Sequence, residues 1–297
     1  MNSHQQGMVQ ATGYTLAFSA SSVWLHSLGE AVHPFVLLFG TTLMATVFYN
    51  AVGFRHFVKS HRAIINTPFW YACTATCLAL LWIVTYYSLI LAPPTIALIV
   101  VFMVEAIIAA CVKRRFITAI ATLVALTAII TIFADHALTV YSGLVAAIGG
   151  VLAYSYSKLS IQLARRNTLS GMEVLSIRYY CLLLLSLAGS IAFFEFEPSH
   201  RAVINENLLI TIFILGVFNT IIPNFCSQNA VINIGAERFS FISSFAPALT
   251  FALGGLHTGQ WDIGIMISVF IAAIILNLDM FTGVMRRLPR LPRIRHQ

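Results

Sequence analysis

The chain has 297 residues, of which 59% are hydrophobic and 9% charged, whereas a soluble globular chain carries about 25% charged residues. That excludes a water-soluble domain, which would lack the charge to cover its surface, and it excludes disorder, which needs low hydrophobicity. The formal charge of +7 then belongs to a helical membrane protein, in which the position of each charge matters more than the sum.

Ten apolar runs approach the ~20 residues that a spanning helix needs. They lie at 13–28, 34–54, 68–90, 93–112, 117–134, 141–163, 173–194, 207–230, 236–256 and 262–283. The first follows MNSHQQGMVQATG, which lacks the basic start of a cleaved leader, so this span is expected to be retained. Gly29 to Pro34 closes it. Pro93-Pro94 separates the third span from the fourth, because proline cannot continue a helix. Asp135-His136 closes the fifth, and Glu195 to Asn207 forms the longest polar loop. Runs such as 119–134 and 263–278 are apolar on every side rather than alternating, so helices are expected and not a barrel. The five cysteines, Cys73, Cys77, Cys111, Cys181 and Cys226, sit in or beside apolar runs and read as core residues. The spans leave no room for a soluble catalytic or nucleotide-binding domain.

Lysine and arginine set the orientation. The loop after the second span holds Arg55, Lys59 and Arg62, and the loop after the fourth holds Lys113, Arg114 and Arg115. Arg165 and Arg166 follow the sixth span, Arg238 the eighth, and Arg286, Arg287, Arg290, Arg293 and Arg295 the tenth. The opposite loops hold only Arg201, beside Glu30, Asp135, Glu195, Glu197, Glu206 and Asp262. Both termini are therefore expected in the cytoplasm, with the basic tail as an anchor on that face. Offsetting the chain by 142 residues lays 92–134 over 234–276, with Glu105 opposite Pro247. The basic residues move to the other end of the helix pair, as an odd number of spans per half requires. The expected fold is an all-α membrane protein of ten transmembrane helices in two inverted five-helix repeats, 1–138 and 139–297. Such repeats place a solute site near the midplane, between the halves.

Four stretches carry a family likeness. They are TYYSLILAPPTIALIV (Thr85–Val100), VEAIIAA (Val104–Ala110), GLVAAIGGVLAYSYSKLSIQLARR (Gly143–Arg166) and SSFAPALTFALGG (Ser243–Gly255). In order and spacing they resemble the EamA-like members of the drug/metabolite transporter superfamily. The Gly-Glu pair that often follows helices 4 and 9 in that family is replaced here by Cys111-Val112-Lys113 and Gly255-Leu256-His257. The resemblance implies a secondary carrier in the bacterial-type inner membrane, exporting amino acids or other small metabolites by alternating access, often driven by the proton gradient. A flippase of the same build and a non-transporting assembly partner stay open as alternatives.

Charge at membrane depth costs about 2.5 to 3.5 kcal/mol on insertion scales, so ionisable residues inside spans are the first candidates. Glu105 is a coupling acid or a helix-packing acid. Lys158, one turn after Tyr154, is a partner for a solute carboxylate or a snorkelling side chain. Arg178 lies only a few residues into its span, and snorkelling is its expected account. Thr220, Asn224 and Gln228 recur at i, i+4 and i+8 beside Pro223, and Ser22 with His26 and Ser244 with Pro247 lie on similar stripes. Each stripe binds solute or bonds helices together. Trp82 and Tyr86 wall a pocket or mark an interface. The slight positive excess favours a carboxylate-bearing solute. No phosphate loop, nucleophile elbow or His-Glu-x-x-His motif occurs, so no enzyme, cofactor or metal is expected. The expected partners are a small solute and the lipid bilayer, with a homodimer left open and no nucleic acid.

Overall fold

A computed structural model describes residues 2–28, 32–133, 137–196 and 206–277. Every regular element among them is helical. The helices are α1 (Ser3–Leu28), α2 (Pro34–Val52), α3 (Phe57–Asn66), α4 (Pro68–Leu91), α5 (Pro94–Val112), α6 (Phe116–Ile132) and α7 (Ala137–Asn167). They continue with α8 (Gly171–Ile177), α9 (Tyr180–Phe196), α10 (Glu206–Leu215), α11 (Ile222–Ile234), α12 (Ala236–Ser243), α13 (Ala246–Thr258) and α14 (Ile263–Leu276). Seven helical runs among the described residues are long and apolar enough to cross a membrane: 34–52, 68–91, 94–112, 140–167, 171–193, 206–234 and 238–258. α6 and α14 are apolar but shorter, and α1 is long but richer in Ser and Thr. This is the build of a multi-pass membrane protein. Side chains on the outside of α6 and α14, such as Ile117, Leu123, Ile263 and Phe270, are exposed and apolar, as a lipid-facing surface must be.

Chain breaks follow local chemistry. Pro34, Pro68 and Pro94 open α2, α4 and α5 at positions where the missing N–H has no intrahelical partner. Ser170 and Glu173 form a reciprocal capping box at the start of α8. Gly259 closes α13 in the left-handed region, at φ 72°, which glycine adopts without a Cβ clash.

Two features depart from the expected spans. The loop after the second span contains a helix, α3, whose Phe57, Val58 and Ile65 are exposed beside Lys59 and Arg62. That amphipathic composition suits the membrane interface. In addition, three spans are discontinuous. The seventh breaks between α8 and α9 at Arg178-Tyr179, the eighth widens into a π-helical turn at Gly216–Ile221, and the ninth breaks at Ser244-Phe245. Proline explains two of these. Pro223 has no N–H for the Asn219 carbonyl, and Pro247 has none for the Ser243 carbonyl. At the seventh span, neighbouring side chains take the backbone groups instead. Asn50 Nδ2 donates to the Ser176 carbonyl (3.0 Å) and the Tyr71 hydroxyl to the Ile177 carbonyl (3.2 Å). The Tyr49 hydroxyl donates to the Ile221 carbonyl at 2.6 Å, where the π turn ends.

The main helix contacts are α4 on α7, α1 on α11, α5 on α7, α2 on α9, α5 on α6 and α1 on α13. α5 runs through the bundle, touching α6, α7, α13 and α14 as well as α4. At Gly150 the α7 backbone approaches α5 so closely that a Cβ would sit 2.6 Å from the Val101 carbonyl oxygen. The basic tail, with Arg286 to Arg295, and the loop residues Glu30, Asp135, Glu197 and Arg201 lie outside the described residues.

Candidate functional site

The break in the seventh span places Arg178 at the meeting point of α7, α8, α9 and α11. Arg178 is 3% exposed. It does not snorkel: its guanidinium points into the bundle rather than toward either surface, which corrects the expectation drawn from its position near a span end. Nη1 donates to the Tyr156 hydroxyl at 2.6 Å, and Nη2 donates to the Tyr179 hydroxyl at 2.7 Å and to Asn224 Oδ1. The guanidinium carbon also lies 4.7 Å from the centre of the Tyr179 ring and 5.7 Å from that of Tyr156. Nε is buried with no hydrogen-bond partner among the described residues. Tyr49 stacks on Tyr179 with ring centres 5.9 Å apart, which fixes the Tyr179 ring against the cation. Every bonded partner of this arginine is neutral.

A second polar chain lies beside the first, along α11 and the π turn. Ser21 Oγ donates to Asn219 Oδ1 (2.9 Å), and Asn219 Nδ2 donates to the Tyr86 hydroxyl oxygen (2.9 Å), which also lies 3.4 Å from Thr41 Oγ1. Asn224 Nδ2 donates to the Thr220 carbonyl (2.6 Å), and the buried Thr220 side chain lies against the Tyr86 hydroxyl. Trp82 packs against Tyr86, ring centres 5.9 Å apart. Helices α1, α2, α4, α7 and α11, the π turn and the break between α8 and α9 thus all contribute to one buried polar core.

Of the residues singled out from sequence, Arg178, Asn224, Thr220, Tyr86 and Trp82 come together here. The others do not. Lys158 is exposed on α7, its ammonium 5.4 Å from the Tyr154 ring centre, so this pair faces outward. His26 Nδ1 donates to the Leu89 carbonyl (2.9 Å), and Ser22 to the Phe18 carbonyl (2.7 Å). Ser244 bonds to the Phe241 carbonyl (2.7 Å) and approaches Asn277 Oδ1 at 3.4 Å. Gln228 packs its Cγ over Gly171 at the start of α8. Glu105 is half-buried on α5, with no hydrogen bond or ion pair among the described residues; Tyr14 of α1 is within electrostatic reach of it. Tyr49, Tyr156, Tyr179, Asn219, Ser21 and Thr41 belong to the core and were not singled out. Arg178-Tyr179-Tyr180 is the one local cue that could have found them: a charge in an apolar run, flanked by rings with polar tips.

A layer of polar contacts covers the α8 end of the core. Lys59 of α3 bonds both carboxylate oxygens of Glu173 (2.9 and 3.0 Å) and the Thr168 carbonyl (2.8 Å). Beside it, His61 Nε2 meets the Tyr180 hydroxyl at 2.6 Å, and that hydroxyl lies 3.2 Å from Asn50 Oδ1.

No family model matches the sequence, and no curated protein matches it. Among solved structures, one described only as the crystal structure of a protein is similar to this chain with a TM-score of 0.65. The likeness covers 96% of this chain and 100% of the other at 19% identity. At that identity it speaks for the fold alone.

Proposed function

We propose that the chain is a secondary carrier, resembling the EamA-like drug/metabolite transporters, which exports a small organic metabolite across the inner (plasma) membrane by alternating access. In this reading the ten spans form two inverted five-helix halves, 1–138 and 139–297, with both termini in the cytoplasm. The observation that carries it is Arg178. An ionisable residue this deep in a membrane bundle is costly and marks a solute or ion path by default, and here it sits at a helix break, as solute sites in carriers of inverted repeats do. The packing supports the two-half reading. α4 on α7 becomes α1 on α11 when the halves exchange roles, and α5 on α7 becomes α1 on α13. Glu105, the lone half-buried acid of α5, is the candidate for proton coupling.

The test is an exchange assay. Purified protein enters liposomes loaded with a mixed metabolite pool, and mass spectrometry reads what crosses. Selective passage of one solute class is expected. Glu105→Gln is expected to abolish concentrative transport while sparing exchange; unchanged proton dependence in that variant removes Glu105 from the coupling. Passage of no solute, in vesicles where labelled lipid does flip, overturns the carrier reading in favour of a flippase.

A further inference from the structure

We infer that the Arg178 guanidinium is the docking point for the carboxylate of a net-anionic solute, a monocarboxylate rather than a zwitterion or an amine. This rests on the reading of the bundle as a carrier and names its substrate class. An arginine has five N–H donors, and only three bonds are made here, to Tyr156, Tyr179 and Asn224. Nε is among the unused donors although it is fully enclosed. Leaving a charged donor buried and unpaired is costly, and among the described residues no acid pairs with this arginine. Glu173 of α8, the acid nearest in sequence, is engaged by Lys59. Glu105 makes no bond to any member of the cluster. A carboxylate supplies both the missing charge and acceptors for the unused N–H groups, in the charge-assisted bond that arginine favours.

That no acid bonds the cluster among the described residues sets the specificity. One cation matches one negative charge, so a phosphate dianion would carry an excess charge into a low-dielectric core. A zwitterion would bring an ammonium with no carboxylate to receive it. The Tyr49, Tyr156 and Tyr179 rings provide an apolar wall with polar tips for the remainder of the solute. Arg178 is enclosed in this structure, so the solute enters when the helices around the break separate.

The test uses calorimetric binding to the full chain in nanodiscs. The probes are monocarboxylates from acetate to 3-phenylpropionate, with 3-phenylpropanamide, phenylalanine and inorganic phosphate as matched controls. Members of the carboxylate series are expected to bind, and the controls to bind at least about tenfold more weakly, the scale of one charge-assisted bond. Arg178→Gln is expected to lose the preference, and Arg178→Lys to retain it at reduced affinity. The wild-type comparison decides the matter even where a variant fails to fold. Binding by no carboxylate overturns the inference, as does equal binding of the amide or of phenylalanine, a preference for phosphate, or unchanged selectivity in Arg178→Gln. The same probes in the exchange assay separate the two readings. Carboxylates that bind while nothing crosses contradict the carrier and sustain this site. Solutes that cross with no carboxylate preference sustain the carrier and contradict this site.

Discussion

Tyr49 illustrates how single residues hold the polar core together. Its ring backs Tyr179, and its hydroxyl takes the Ile221 carbonyl at the end of the π turn. Tyr49→Phe keeps the ring and removes one of the two bonds of that carbonyl, which as the N-cap of α11 retains its helical partner, a loss of about 1 kcal/mol. Thermal unfolding in detergent is expected to show a lower midpoint in this variant; an unchanged midpoint would mean that the turn does not depend on the bond. At this scale the site was half legible. Arg178 is visible in the sequence as a charge in an apolar run, but a count of residues from the span end does not give its depth. That count says nothing about which way a long side chain turns, and here the direction is set by Tyr156 from α7 and Asn224 from α11, far away in sequence. Tyr154 and Lys158 misled for the same reason. They share a helix face, but it is the outer face, and Tyr156 two residues away points inward.

Among the elements, α3 is the one whose consequences reach the core. Its charges mark only a basic loop in the sequence, because charge carries no sign of the helical spacing of Ser60, Ala63 and Ile64 in the same segment. The helix is tied to α8 by the Lys59–Glu173 pair, in which Glu173 is almost wholly enclosed and Lys59 half exposed. Lys59→Ala leaves that carboxylate with its capping bond and with His56, 3.8 Å away. The loss is about 1 kcal/mol, because half of the pair is screened by solvent. Hydrogen exchange of the α3 amides is expected to accelerate about fivefold, the equivalent of that energy. Unchanged exchange would show that apolar contacts alone hold α3 in place. The discontinuities in the seventh, eighth and ninth spans were hidden for a related reason. Hydropathy reads through a break when the flanking residues are apolar, and only Pro223 and Pro247 announce two of the three. Asn219 joins the core from the π turn, whereas Gln228, one turn beyond Asn224 on the expected stripe, packs over Gly171 at the start of α8.

For the whole molecule, the sequence reading and the structure meet most closely. The described helices other than α3 overlap the apolar runs of the sequence, and seven helical runs among them are long and apolar enough to cross a membrane, because proline, glycine or a charge cluster bounds such runs locally. The arrangement of those helices is not local. The contacts of α1 with α11 and of α4 with α7 join segments far apart in the chain, and no composition or periodicity encodes them. The central claim is that these helices move so that the polar core faces each side of the membrane in turn. Ser21 is the reporter for it: fully enclosed, bonded to Asn219, and close in size to cysteine. The most direct measurement is labelling of Ser21→Cys, in a background with the five native cysteines replaced, by a membrane-impermeant thiol reagent applied to each face of oriented membranes. Labelling from both faces, and slower labelling once a bound solute holds the core closed, is the expected result. A thiol reached from one face only, or from neither, would contradict alternating access.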